Sequence, residues 1–542
     1  MNRVLVLGCV LLATACGSKS FGSLCDNQVP PPAACNTACD PKPGAANTCP
    51  AGYFCSADGA CDAQCTPTGG QCGDGYSCTT DGRCVGGDTP PCQGLQCQVT
   101  DCEKQGMPAT TITGTVFAPN GSLPLFGVSV YVPNVVDQPL PPFQDGVTCG
   151  SCSLGLPGNP VVSTVTDDQG KFSLVGVPNG ASIPVVITIG KWRRQLKIAN
   201  VASCASQALE PADTRLPAAR DDMTPNTTSV DLPQIAISTG NADSLECLVR
   251  RLGIKDKEIT TNAPAGTASG RIHLYSDNGA GGGKGVASFE PTFGGGTGAL
   301  ADSADLWGDA SKSGTLNNYD IVILSCEGAQ HAETKSQAAM DHLKAYADIG
   351  GRVFLSHWHN IWLEGSTQDT TKGTQAPKVW ADQPNPIAKF DDSKPNIQGA
   401  VNDTIDEVNN PKGMAFANWM LTVQKNSPMR GQVAIAAGTA RDQAIFVDTT
   451  RAERWVYLQS GADQFPQNFQ FTTPLEADQA ARCGKVVFSD MHVSGGPVKN
   501  NGVIPPYPTS CGDAATPADL SDQEKALAFM FFDISSCVGV LF

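Results

Sequence analysis

The chain has 542 residues and a formal net charge of −16, so it has room for about three domains and disfavours DNA or RNA as a partner. Charged residues are only 16% of the whole while glycine and proline are plentiful, a balance that suits a loop-rich exported protein better than a cytosolic enzyme. Beyond the N-terminus no apolar run approaches the ~18 residues of a membrane span.

Met1-Asn2-Arg3 supplies a positive start and Val4 to Ala13 a short apolar core, which together read as a signal peptide over 1–15. Leu12-Ala13-Thr14-Ala15-Cys16 resembles a bacterial lipobox, with Ala13 where leucine is usual. The resemblance implies a lipid on Cys16, against ordinary signal cleavage after Ala15. Gly17 follows and not the aspartate linked to inner-membrane retention, so the expected place is the outer membrane, surface-exposed and held by a lipid anchor. Of 23 cysteines, Cys9 leaves with the signal and Cys16 takes the lipid. The remainder is odd, so one thiol is free or pairs between chains.

Residues 16–107 are proline-rich and cysteine-dense, with too little apolar side chain to form a core without crosslinks. Cys49-PAGYF-Cys55-SADGA-Cys61 recurs as Cys72-GDGYS-Cys78-TTDGR-Cys84, with Asp-Gly turn signals before each last cysteine. Zinc is the other use of dense cysteine, but CxxC pairs are absent from this region and disulfides are favoured. The pattern resembles short EGF-like repeats of secreted proteins, which implies a stalk or a binding surface.

Over 108–204 the pattern changes to short alternating strands, Thr111 to Val116, Val128 to Val132, Val161 to Val165, Phe172 to Leu174 and Ile183 to Ile189. With Asp/Gly turns at this spacing they predict a β-sandwich. G-T-V, G-V-S-V-Y-V and T-D-x-x-G-K-F-S-L-x-x-V-P resemble the carboxypeptidase regulatory-like (prealbumin-like) domain, a structural or carbohydrate-facing module. Asp167 reads as a turn former more readily than a calcium ligand. Cys149-Gly-Ser-Cys152 lacks the βαβ context of a redox motif and reads as a structural disulfide. Lys191-Trp192-Arg193-Arg194 offers an exposed aromatic and three cations: either a solvated hairpin end or a contact for a polysaccharide or anion through Trp192, Arg193 and Arg194.

Residues 205–230, with Pro211, Pro217 and Pro225, read as an extended linker, and 231–542 as an α/β domain with a doubly wound, mostly parallel sheet. Its centre is Asn317 to Asn360. Ile321 to Leu324 and Val353 to Leu355 are continuous apolar runs, as strands buried on both faces are, and Ala339, Met340, Leu343 and Tyr346 mark a helix between them that Gly350-Gly351 stops. Further strands are expected at 232–238, 271–275, 433–437, 443–447, 454–458 and 485–489, and helices at 242–252, 413–423 and 526–534. Trp362 to Gln398 reads as an irregular insertion beside the strand ends, a candidate lid. No GxGxxG or GK[ST] is present, so nucleotide binding is unsupported.

YDIVILSCEG, LKAYADIGGRVFLSHWH and KVVFSDMH resemble the class I glutamine amidotransferase-like fold, including its ThuA-like group. In that family a cysteine stands at the elbow after the strand that is here Arg352 to Ser356; this sequence has His357 there, so a Cys–His–Glu glutaminase is not expected. Ligands in such sheets bind outside the carboxyl ends of the strands. Those ends carry Ser325-Cys326-Glu327, His357-Trp358-His359 and Asp490-Met491-His492. His357 and His359 would project the same way if the strand ran on, and with Asp490 and His492 they form a candidate set for zinc or manganese, with Glu327 as base. The bland alternative makes them hydrogen-bonded residues of an inactive fold; Cys326 is either a nucleophile or, as favoured in an exported protein, a paired cysteine. As a whole the chain resembles myxobacterial-type surface lipoproteins. The expected function is non-catalytic binding of a glycan or another protein in the envelope, with a metal-dependent, carbohydrate-directed hydrolase as the alternative.

Overall fold

The structure, a computed structural model, describes residues 22–539 apart from 28–31, 43–47, 67–70, 73–75, 87–91, 136–138, 153–154, 262–269, 277–284, 294–297, 426–428 and 513–517. The expected signal peptide over 1–15 and the expected lipidation of Cys16 lie outside the described residues. The protein is multidomain and divides into two compact units, Met1–Cys92 and Gln93–Phe542. Among the described residues no helix is long and apolar enough to cross a membrane.

The first unit is held by cystines in place of a core. Two small hairpins, Phe54–Cys55 with Cys61–Asp62 and Tyr76–Cys78 with Cys84–Gly86, occupy equivalent places in the repeat. The repeat extends to connectivity: Cys49–Cys61 matches Cys72–Cys84, and each middle cysteine reaches back, Cys55 to Cys39 and Cys78 to Cys65. Cys25–Cys35 completes the set. The clustered sulfurs are thus spent on disulfides and cannot cage zinc.

In the second unit, the region around 111–231 forms two sheets. One has Thr227–Asp231, Trp192–Val201, Gly180–Ile189, Ser129–Pro133 and Pro160–Val165 in that order, and the other Ser206–Ala208, Thr111–Thr115 and Lys171–Val175. Lys171–Val175 alternates cleanly, turning Phe172 and Leu174 inward. Asp167 forms the expected turn, its carboxylate accepting from the backbone N–H of Gln169 and Lys171, both at 2.8 Å. The segment read as a linker is built into these sheets: Ser206–Ala208 pairs with Thr111–Thr115, and Thr227–Asp231 is an edge strand beside Trp192–Val201.

The large sheet contains β1 (Ile235–Thr239), β2 (Ile272–Ser276), β3 (Ile321–Leu324), β4 (Arg352–Ser356) and β5 (Gly484–Ser489). They lie parallel in the order β2-β1-β3-β4-β5, and antiparallel strands Asp463–Thr473, Glu453–Ser460, Val401–Ile405 and Gln432–Ile435 extend the sheet beyond β5. Both faces are covered, as the apolar runs require. Ile321 and Ile323 of β3 join one core cluster, while Val322 and Leu324 join another with helix α1 (Gln337–Asp348). Ser336 caps α1 by accepting from the Ala339 N–H. Gly350 ends the turn after it at φ 122°, where a Cβ would sit 2.2 Å from the Thr148 carbonyl oxygen, so no other residue fits.

The first cluster runs without a break from the two smaller sheets into the large one through helix α2 (Asp522–Ser535). Trp192 meets Phe531 and Phe532 with ring centroids 5.6 and 5.5 Å away, and Phe126 stacks on Phe529 at 5.7 Å. This overturns the expected exposure of Trp192, Arg193 and Arg194, which are at most 1% exposed. Trp192 donates to the Pro217 carbonyl; Arg193 pairs with Asp231 and lies over the Phe143 ring; Arg194 is held by Asp222, Thr227 and the Arg215 carbonyl. The hairpin end is a docking joint because α2 supplies aromatic rings and the supposed linker supplies the acids. The two cysteines of Cys149-Gly-Ser-Cys152 are likewise not paired together. Cys149 bonds to Cys483 and Cys152 to Cys537, and Cys247 to Cys511.

Candidate functional site

The carboxyl ends of β3, β4 and β5 do bring Cys326, His357, Asp490 and His492 together, joined by Arg441 and Gln443 from a loop before the strand Ala444–Val447. β4 does not run on through His357. That residue turns the chain at φ 41° and opens a single 3₁₀ turn, His357–Asn360, so His357 and His359 do not project alike. A non-glycine residue in the left-handed region at a strand-to-helix elbow is a strained arrangement.

His357 Nδ1 lies 3.6 Å from Cys326 Sγ and 3.2 Å from His492 Nε2. Arg441 Nη2 is 2.8 Å from His492 Nδ1. A guanidinium can only donate, so His492 Nδ1 accepts and its proton sits on Nε2, directed at His357 Nδ1. His357 Nδ1 therefore accepts from His492, with the Cys326 sulfur 3.6 Å away, and its own proton sits on Nε2. That N–H is 4.0 Å from Asp490 Oδ1, and neither atom has a hydrogen-bond partner among the described residues. Asp490 Oδ2 accepts from the Ala444 N–H at 2.9 Å. The result is a relay in which the Arg441 cation donates to a neutral His492 and His492 to a neutral His357, with the thiol at its side.

The environment keeps the thiol and both imidazoles uncharged and leaves Asp490 near its midpoint at neutral pH. Burial pushes the Cys326 thiol up to about 12 and Asp490 up to about 7, and it pulls His357 down to about 3, with the Arg441 charge adding to the last. His492 is held well below its ordinary value for the same reasons. None of these four side chains is more than 3% exposed. Asp243, after β1, is also buried and pushed up to about 6, accepting from Ser356, Val493 and Ser494.

His359 and Glu327 stand apart from this set. His359 Nε2 donates to the Ser325 carbonyl at 3.0 Å, and its Nδ1 accepts from Trp362 at 3.0 Å, so neither nitrogen is free for a metal. Glu327 is 2.5 Å from the buried Lys335 ammonium and 3.7 Å from His359, a structural ion pair and not a base facing a substrate. The expected four-ligand set His357, His359, Asp490 and His492 is thus not assembled around one point. The reason is the elbow at His357, which swings His359 toward β3.

A different trio, Cys326, His357 and His492, offers ligand atoms within 4.8 Å of one another. The edges of 3.2 and 3.6 Å match those of a tetrahedral zinc with bonds of about 2.0 Å to nitrogen and about 2.3 Å to sulfur. The hydrogens do not match. A ligating imidazole donates its other N–H to a carboxylate or carbonyl, whereas His492 Nδ1 faces a cation. The trio fits a metal in spacing and not in protonation.

The insertion after β4 packs over this end of the sheet. Gln330 Nε2 donates to Asn360, Glu364 and Asp392, and Asn360 donates to Asp392 at 2.9 Å. Burial, then the charges of Asp392 and Asp490, push Glu364 up to about 9, so it is protonated at neutral pH. The sequence reading passed over Asp243, Arg441, Gln443 and Glu364. Only Asp243 carried a signal, its place in the first strand-to-helix turn. It also expected Cys326 to be paired; among the described residues it is the free cysteine, as the odd count allowed.

The chain matches no known protein-family model and no curated protein.

Proposed function

We propose that this is an exported, lipid-anchored protein of the bacterial outer surface that binds a glycan or another protein and does not catalyse a reaction. In this reading the first unit is an EGF-like stalk, the two smaller sheets are a carboxypeptidase regulatory-like β-sandwich, and the large sheet is a glutamine amidotransferase-like domain without its nucleophile. The many disulfides are compatible with export. The observation that carries the non-catalytic reading is the state of the strand ends: thiol, imidazoles and carboxylate are sealed from solvent, and the thiol and both imidazoles are uncharged at neutral pH. A nucleophile needs its thiolate, and a general base needs a substrate within reach.

The spacing of Cys326, His357 and His492 favours one alternative, a metal-dependent hydrolase. Elemental analysis of the intact protein purified without chelator, beside His357→Ala, separates the two. Zinc, manganese and copper well below one equivalent in both preparations is the expected result. About one equivalent in the parent, lost in the variant, overturns the proposal and restores the hydrolase.

A further inference from the structure

At the opposite end of the parallel sheet, where β3 and β4 begin, a cleft of about 370 Å³ opens between the large sheet and the five-stranded smaller one. Its walls come from the start of β3, the end of α2, the hairpin at Gly190 and the loop that carries Cys149 and Cys152. The volume lies at the lower end of the range for small-molecule sites. Phe143, Leu156, Ile189 and Ile321 make its apolar surface, and Lys191, Asp320 and Arg352 bring charge to it.

The charges do not cancel. Lys191 Nζ is 2.5 Å from Asp320 Oδ1 and also donates to the Gln144 and Gly146 carbonyls, so that ion pair is complete. The guanidinium of Arg352 gives its hydrogen bonds to the backbone carbonyls of Gly350, Cys483, Gly150 and Ser536. No carboxylate pairs with it among the described residues. Of the acids acting on it, Asp533 is itself claimed by Lys412 and Lys485, and Asp320 by Lys191. Burial pulls Arg352 down only to about 10, so it is cationic at neutral pH. One net positive charge therefore stands in the wall of an apolar cleft, where an anion would lower the energy and a neutral ligand would not.

The cleft is also built rigidly. Cys149 and Cys537 of its walls are bonded to Cys483 and Cys152, so the loop is tied to the large sheet and to the end of α2 before a ligand arrives. We infer that this cleft binds a small apolar monoanion, a monocarboxylate with an aliphatic or aromatic body seated against Ile189, Leu156 and Phe143. The inference rests on the binding reading above and names the chemistry of one ligand. It can fail while that reading stands, because the metal analysis does not involve this cleft.

The test uses the intact, disulfide-bonded protein and the fluorescent apolar anion 8-anilinonaphthalene-1-sulfonate, displaced by decanoate or by decan-1-ol. The expected result is one saturable dye site per chain, displaced by decanoate about tenfold more effectively than by the alcohol. Leu156→Trp, on the half-buried loop wall, should remove the site without altering the unfolding midpoint. Absence of a saturable site, equal displacement by the alcohol, or dye binding unchanged in Leu156→Trp would each overturn the inference. Arg352→Lys, which keeps the charge, should retain the preference for decanoate; its loss would mean that the charge of Arg352 is not what selects the anion.

Discussion

The sharpest test of a sealed strand-end cluster is the reactivity of Cys326. A thiol at its ordinary value of 9.0 is roughly one-tenth thiolate at pH 8, whereas one pushed up to about 12 is thiolate to roughly one part in ten thousand. Ionisation alone therefore slows alkylation by about a thousandfold on folding, and full burial of the sulfur adds to that. Iodoacetamide on the non-reduced protein, followed by peptide mass spectrometry, reads it directly. In guanidinium Cys326 should label within minutes at pH 8; in the native protein it should stay unmodified over hours, escaping only as fast as the fold opens. Rapid native labelling, or a labelling rate with a midpoint near pH 7, would refute the reasoning. It would mean that His357, 3.6 Å away, takes the thiol proton and that Cys326 is an activated nucleophile.

Two further outcomes follow from buried groups away from the cluster. Burial pushes Glu246 up to about 8, and neither carboxyl oxygen has a hydrogen-bond partner. A folded value raised above the unfolded one gives stability that is complete below about pH 4.5 and is lost as pH rises through about 8. Glu246→Gln should therefore flatten the fall in unfolding free energy between pH 5 and pH 8 by a few kcal/mol, measured by guanidinium titration at both; an unchanged pH dependence would count against the burial of this carboxyl. Trp192→Ala should cost about 3–5 kcal/mol in the same titration, since it empties the joint with Phe531 and Phe532, and a variant as stable as the parent would place Trp192 at the surface.

Much of the large sheet was legible because its strands are buried on both faces. Ile321–Leu324, Arg352–Ser356 and Gly484–Ser489 are short, nearly unbroken apolar runs, and a helix of regular period and a glycine stop link the first two. The antiparallel extension was harder. Asp463–Thr473 reads DQFPQNFQFTT, which carries a proline and four amides, and it is a strand because Glu453–Ser460 and β5 flank it. The fate of residues 205–230 was illegible for the same reason. Arg215, Asp222 and Thr227 look like solvated linker residues until Arg194, which they neutralise and bond, is placed among them.

At the candidate site, residue types and strand ends could be read, but directions could not. Spacing two apart means a shared face only while the chain stays extended, and His357 at φ 41° breaks that condition at the first of the two histidines. One backbone dihedral thus separates a metal set of His357 and His359 from the observed arrangement, in which His359 is tied to Ser325 and Trp362 and His357 meets Cys326 and His492. Nor does proximity decide function once it is known. The protonation is set by Arg441, a residue with no sequence signal, because a guanidinium against His492 Nδ1 fixes the protons of both imidazoles. Replacing Arg441 by a residue that accepts at that point, as in Arg441→Gln, would free His492 Nε2, and so the same three side chains could become a metal site by one substitution.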